Sequence, residues 1–411
     1  MIRKIAITGL IAGLVFYLFL TAHHEVDFDV YLDAASKLLS RQNIYQPPFI
    51  HNLQYYYSPL FALILIPFAL IPYWISKFCW LLACVYFMVR SWKLTVSYFP
   101  KSLPSNYQKA WMILPFIAVL RFIINNIGLV QITPFLLWAV LESFRLFDKK
   151  KAVGGAALFG LALNIKLLPL TLLPYLLFRN KIKESLLIVG FFGIFLFLPA
   201  LLHGVEFNNY LISQWWKIIN PLNSEHSIET ESGTYGLVAL IHVFITSTVG
   251  EMPYARNFID LNLQEVSLVV NMARVIFILI TLAFLRSFPF KRETDRLKEI
   301  WEISYILAIT PLLFPHQHKY AFLFVLPMMI YLYYFFLSFQ CGKAKKFTGL
   351  FILLIIISIL FTPIIGWDII GRFLYNLSEH YRLISFCVIM LLFMHWWCAP
   401  HKLAESKLNG R

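Results

Sequence analysis

Apolar runs of membrane-crossing or near-crossing length, separated by short basic clusters, recur along almost all of this 411-residue chain and leave few folds open to it. They fall at 5–22, 74–92, 109–124, 128–147, 152–165, 167–178, 184–202, 267–285, 300–314, 319–339, 347–363 and 383–398. A lipid core cannot satisfy exposed backbone N–H and C=O groups, so runs of this kind must become helices. The expected fold is an all-α polytopic membrane protein with about twelve transmembrane helices and short amphipathic helices at one face. Composition agrees, since 60% of the residues are apolar and 14% charged, which excludes a water-soluble globule. The runs 152–165 and 167–178 are short enough to be tilted or incomplete. Two further pieces, 59–71 with Pro67 inside it and 235–249, would break the alternation if they crossed. They read as re-entrant or surface-lying helices on the outer side.

Basic residues orient the chain. Arg3 and Lys4, then the clusters in 90–109, 149–151, 179–183, 286–298, 343–346 and 402–411, all fall on one side, which the positive-inside rule makes cytoplasmic. They account for most of the net charge of +14, so membrane lipids, not nucleic acid, are the expected partners of that charge. The first run follows Arg3 and Lys4 as a signal peptide would, but it reads as an uncleaved span anchoring what comes next. Cys79, Cys84, Cys341, Cys387 and Cys398 are odd in number and lie within or at the ends of spans, so neither a disulfide framework nor a metal motif is indicated. With no repeat and no soluble module, 1–411 reads as one transmembrane domain with outer loops at 23–58 and 203–266.

Most of the unusual polar residues gather on the outer side. The loop 23–58 opens with His23, His24, Glu25 and then Asp27-Phe28-Asp29-Val30-Tyr31. On a helical wheel for 27–41, Tyr31, Ala34 and Leu38 share the side of Asp27, while Asp29, Asp33, Ser36 and Ser40 fall opposite. Asp33 with Lys37 one turn on reads as an ion pair on a solvated face that also holds Asp29. Asp27, on the apolar side, is the acid that needs a reason. Either it caps the helix beginning at Phe28 by accepting its free N–H groups, or it does chemistry at the membrane surface. The rest of the loop, through His51-Asn52-Leu53-Gln54-Tyr55-Tyr56-Tyr57-Ser58-Pro59, is aromatic and rich in hydrogen-bonding groups. A sugar site has that character, and so does an interfacial aromatic belt.

Four more polar breaks share that side. Asn125 to Gln131 separates two spans, with Arg121 one turn before it; Arg121 and Gln131 lie inside apolar runs and need partners. In Gly160-Leu161-Ala162-Leu163-Asn164-Ile165-Lys166-Leu167-Leu168-Pro169 a lysine stands midway between two cytoplasmic clusters, at the tip of an outward hairpin. Its ammonium suits a lipid phosphate, or it snorkels to the interface. The long loop 203–266 carries Trp215-Trp216-Lys217 and the acidic stretch Glu225 to Gly233, from which no catalytic member stands out. Pro311 to Tyr320 presents His316, His318 and Lys319; His-x-His suits zinc only with further ligands, and none stand at motif spacing. Contacts to a phosphate or a sugar hydroxyl fit these histidines better.

In this order and placement the chain resembles the GT-C superfamily of membrane glycosyltransferases, and within it family 87, the polyprenyl-phosphate-mannose-dependent type. The resemblance rests on Asp27-Phe28-Asp29-Val30-Tyr31 after the first span, on Tyr57-Ser58-Pro59-Leu60, on Gly128 with Gln131, on Gly160 through Lys166 to Pro169, and on Pro311 to His318. Tyr57-Ser58-Pro59 stands where the family commonly has Tyr-Pro-Pro. The resemblance implies transfer of a sugar, mannose or another hexose, from a polyprenyl-phosphate donor to a glycan or glycolipid acceptor. Transfer would occur with inversion, on the outer side of a bacterial cytoplasmic membrane. It implies Asp27 as general base, and Lys166, Arg121 and His318, in that order, as cations for the leaving phosphate, with His316, Tyr31, Tyr57 and Gln131 as further substrate-binding residues. No cofactor and no obligatory metal are implied, because phosphate is already a good leaving group.

Two other classes compete. An oligosaccharide polymerase or ligase concentrates arginine in its large outer loop, whereas 203–266 holds only Arg256. A lipid-linked sugar transporter or flippase places its charged residues near the midplane and shows internal repeats, whereas here they cluster toward one face.

Overall fold

A computed structural model describes residues 2–24, 27–220, 229, 233–341, 347–361 and 367–403. Eighteen α-helices account for nearly all of its regular structure and no strand occurs among the described residues, so the chain is an all-α polytopic membrane protein. Among the described residues, five helices are long and apolar enough to cross a membrane: Tyr73–Val96, Ser105–Gly128, Ile182–His203, Leu263–Leu285 and Lys319–Cys341. The bent pair Gly371–His380 and Leu383–Trp397 makes a sixth if taken as one span. Other apolar helices, including Ala152–Ile165, Leu168–Phe178 and Thr348–Phe361, are shorter. Length and composition thus mark out fewer complete spans than there are apolar runs in the sequence.

Contacts group the chain into two compact units. The first comprises Met1–Ser91, Ile124–Leu167 and Lys183–Asn220. Its centre is the packing of Phe28–Leu39 on Pro59–Ala69, which buries Phe28, Tyr31, Ala34, Ala35 and Leu38 against Leu60, Phe61, Ala62 and Leu65. Pro59 opens the second helix at a first-turn position where its missing N–H costs nothing. At 11 residues that helix rises only about 16 Å, so it cannot cross a bilayer alone, in keeping with the re-entrant or surface-lying reading. Nearby, Ala152–Ile165 closes tightly on Ile182–Phe197. A Cβ on Gly160 would come within 3.0 Å of Phe191 Cβ, and Asn164 donates across the pair to the Phe192 carbonyl at 2.7 Å. Small residues permit such approaches where lipid supplies no hydrophobic drive.

The second unit comprises Trp92–Ile123, Leu168–Ile182 and Pro221–Arg411. Arg296–Leu313 runs through it almost wholly buried, and Asp295 caps its first turn by accepting from the Leu297 N–H at 2.9 Å. Glu302 inside it is fully buried and is clasped by the Arg179 guanidinium and the Tyr175 hydroxyl. A charge so placed is tolerable only because it is paired and hydrogen-bonded. Leu263–Leu285 begins with a capping box between Asn262 and Glu265, and its Val266 and Val270 pack on Val238 of the nine-residue helix Leu237–Ile245. That helix is too short to span, as read for 235–249.

Candidate active site

Asp27 immediately precedes Phe28–Leu39, yet its side chain makes no cap hydrogen bond to that helix. The capping alternative therefore does not describe it. Instead Gln131 Nε2 donates to Asp27 Oδ2 at 2.6 Å. Gln131 is buried, and its backbone is fixed by the end of Ser105–Gly128: Val130 takes a left-handed φ of +55°, and the Gln131 N–H returns to the Asn126 carbonyl at 2.9 Å. That turn aims the amide into the unit. Its Oε1 accepts a long hydrogen bond of 3.4 Å from Tyr31, whose hydroxyl lies 2.8 Å from the Tyr57 hydroxyl. The chain Tyr57, Tyr31, Gln131, Asp27 holds one carboxylate oxygen at the edge of an aromatic wall. Tyr31, Tyr57, Phe61 and Trp80 make that wall, with the Tyr57 and Phe61 rings 5.2 Å apart.

Lys166 reaches the same wall. It follows Ala152–Ile165 in extended conformation, and its Nζ lies 5.5 Å from the centre of the Tyr57 ring. Burial lowers the pKa of its ammonium from 10.5 to about 8, against the opposing pull of the Asp27 charge. Tyr57 is held neutral, because burial pushes its hydroxyl up and Asp27 adds to that, while the hydrogen bond it shares with Tyr31 works the other way. A carboxylate, a cation and neutral hydroxyls therefore share one aromatic wall.

Asp29 departs from the sequence reading. It was expected on a solvated face, but it is buried, and His51 Nε2 lies 2.9 Å from its Oδ2. The loop folds back over that side of the helix, which a wheel drawn for an isolated helix cannot anticipate. Asp33 behaves as read, pairing with Lys37 at 2.8 Å. Lys77 was missed. It is fully buried on Tyr73–Val96, donates to the carbonyl of His24, three residues before Asp27, and lies 5.5 Å from the Tyr73 ring centre. The available signal was a lysine inside an apolar run that no basic cluster claims.

Arg121, His316 and His318 belong to the second unit. The Arg121 Nε is buried with no hydrogen-bond partner among the described residues. His318 forms a backbone bridge with Thr234 and stacks on Tyr320, and His316 Nδ1 lies 3.9 Å from Glu229 Oε1. Beside them Lys319 is 2.7 Å from Glu379 and donates to the Tyr375 hydroxyl at 2.9 Å. From the acidic loop, Glu229 and Gly233 are described; 225–228 and 230–232 lie outside the described residues. Among the described residues no three His, Cys, Asp or Glu side chains are grouped to hold a metal ion.

Of the eight site residues read from the sequence, the structure brings Asp27, Tyr31, Tyr57, Gln131 and Lys166 together in the first unit. No curated protein and no solved structure matches the chain. The model of glycosyltransferase family 87 matches residues 55–315, more than half of its length. The match includes Tyr57, Arg121, Gln131 and Lys166; Asp27 and Tyr31 precede it, and His316 and His318 follow its end. The chain belongs to glycosyltransferase family 87 and is a membrane glycosyltransferase.

Proposed function

We propose that this enzyme moves a sugar, mannose or another hexose, from a polyprenyl-phosphate donor to a glycan or glycolipid acceptor on the outer side of the cytoplasmic membrane. The acceptor oxygen attacks the anomeric carbon as the bond from that carbon to the phosphate oxygen breaks. Asp27 takes the acceptor proton, polyprenyl phosphate leaves with the bonding pair, and the anomeric configuration inverts. The phosphate gains one negative charge in this step, and the Lys166 ammonium is the group that meets it. Arg121, His316 and His318 are further candidates for contact with donor or acceptor. Phosphate leaves readily, so the step as written needs no metal.

The observation that carries this reading is the orientation of Asp27. Gln131 engages Oδ2 and the helix start does not use the carboxylate, while Lys166 faces the other end of the Tyr57–Tyr31 pair. A transferase needs that arrangement, with a base beside the acceptor and a cation beside the leaving phosphate.

The test is transfer from radiolabelled polyprenyl-phosphate-mannose to native lipid extract by purified wild type, Asp27→Asn and Asp29→Asn. Asp27→Asn is expected to lose about 10²–10⁴-fold in rate, the usual range for a general base, with Asp29→Asn retaining most activity. Equal transfer by wild type and Asp27→Asn would remove Asp27 as base. Product that accumulates as translocated donor, with no new glycosidic bond, would mark a flippase instead.

A further inference from the structure

Leu263–Leu285 has 23 residues and rises about 35 Å, enough to cross the hydrocarbon core and bring its end to headgroup level. Arg286 ends it in left-handed conformation, with φ at +47°. Phe288 and Phe290 follow, 87% and 63% exposed. Two such rings are unfavourable in water and at home at the boundary between headgroups and acyl chains. Their surroundings are basic, since Arg286, Lys291, Arg292, Arg296 and Lys298 face only Glu293 and Asp295 in this stretch.

Both acids are engaged within the chain. Asp295 caps the helix behind it, and Glu293 takes Lys298 at 2.5 Å and accepts the N–H groups of Thr294 and Asp295. Arg286 and Lys291 pair with no carboxylate among the described residues, and the Arg286 guanidinium rests 5.6 Å from the Trp396 ring centre. Next to Arg286 a cleft of about 550 Å³ opens, lined by Arg286, Lys298, His401 and Asp295 with the hydroxyl-bearing Tyr334 and Ser338.

We propose that this cleft binds the headgroup of an anionic phospholipid, the phosphate against Arg286 with Lys298 behind it, and the acyl chains alongside Phe288 and Phe290. The cleft supplies charge for a headgroup, and the exposed rings supply the apolar contact that a lipid can use. Free phosphate shares the charge and lacks the chains.

Native mass spectrometry of the full-length protein in detergent, titrated with dioleoyl-phosphatidylglycerol, dioleoyl-phosphatidylcholine or inorganic phosphate, tests the site. Phosphatidylglycerol is expected to stay bound where phosphatidylcholine is lost. Arg286→Gln is expected to weaken the anionic lipid about fivefold, the worth of one basic residue at an anionic surface. Lys150→Gln, at an exposed lysine of the first unit, serves as the unaffected control. Lys298→Gln, at the other cation lining the cleft, gives the same reading should Arg286→Gln fail to purify. Equal retention of the two lipids, an Arg286→Gln and Lys298→Gln pair that both bind as wild type, or displacement of the lipid by inorganic phosphate at equal concentration would each overturn the proposal.

Discussion

At the scale of single residues, the candidate site is a matter of which groups are charged and which are held still. Lys166, with its pKa brought down to about 8, is cationic at neutral pH and loses its charge as pH rises through that value. Donor binding that depends on the cation is therefore present below pH 8 and lost above it. In wild type, kcat/KM for the donor is expected to fall as pH rises through about 8, reporting the free enzyme's lysine. Lys166→Arg should bind at neutral pH and flatten that fall, because a guanidinium stays protonated throughout. An identical pH profile in the two proteins would take Lys166 out of the phosphate site. Asp27 and Lys166 were legible because each is a charge on an apolar background. The burial of Asp29 was not, because it depends on where His51 lands, 22 residues away.

At the scale of elements, Lys166 is only as well placed as the helix that ends beside it. Ala152–Ile165 is held against Ile182–Phe197 by the absent side chain of Gly160 and by the Asn164 amide. Gly160→Leu is expected to cost about 1–3 kcal/mol of stability through overpacking, read as a lower thermal midpoint, and to raise donor KM by displacing the helix end. Gly154→Leu is the control, since a Cβ there meets nothing within 4 Å, and it should change neither quantity. A Gly160→Leu protein with unaltered midpoint and KM would show that the two helices do not need to approach this closely. The helices themselves were plain in the sequence, because apolar runs in lipid have no other way to satisfy their backbone. Their completeness was not. The runs at 152–165 and 167–178 become a 14-residue helix and a short 3-10 and α piece, broken at Lys166 and Leu167, the break that carries the site lysine.

At the scale of the whole molecule, the open quantity is orientation. With native cysteines replaced, a membrane-impermeant maleimide applied to intact cells is expected to label Gln42→Cys, exposed in the loop after Phe28–Leu39, and to spare Lys150→Cys, exposed in a basic cluster. The reverse pattern would invert the topology and move the transfer reaction to the cytoplasmic side. The sequence by itself determined the class of fold, the family, and the unusual charges that a lipid-facing chain would not carry without reason. These follow from local composition and from the cost of placing polar groups in hydrocarbon, which each segment meets on its own. Only the tertiary structure decided that Gln131, 104 residues from Asp27 along the chain, holds its carboxylate, that Tyr57 links that carboxylate to Lys166, and that Asp29 is buried. Those outcomes depend on which distant helices close on one another, and that depends on side-chain shape summed over many contacts, which no local pattern encodes.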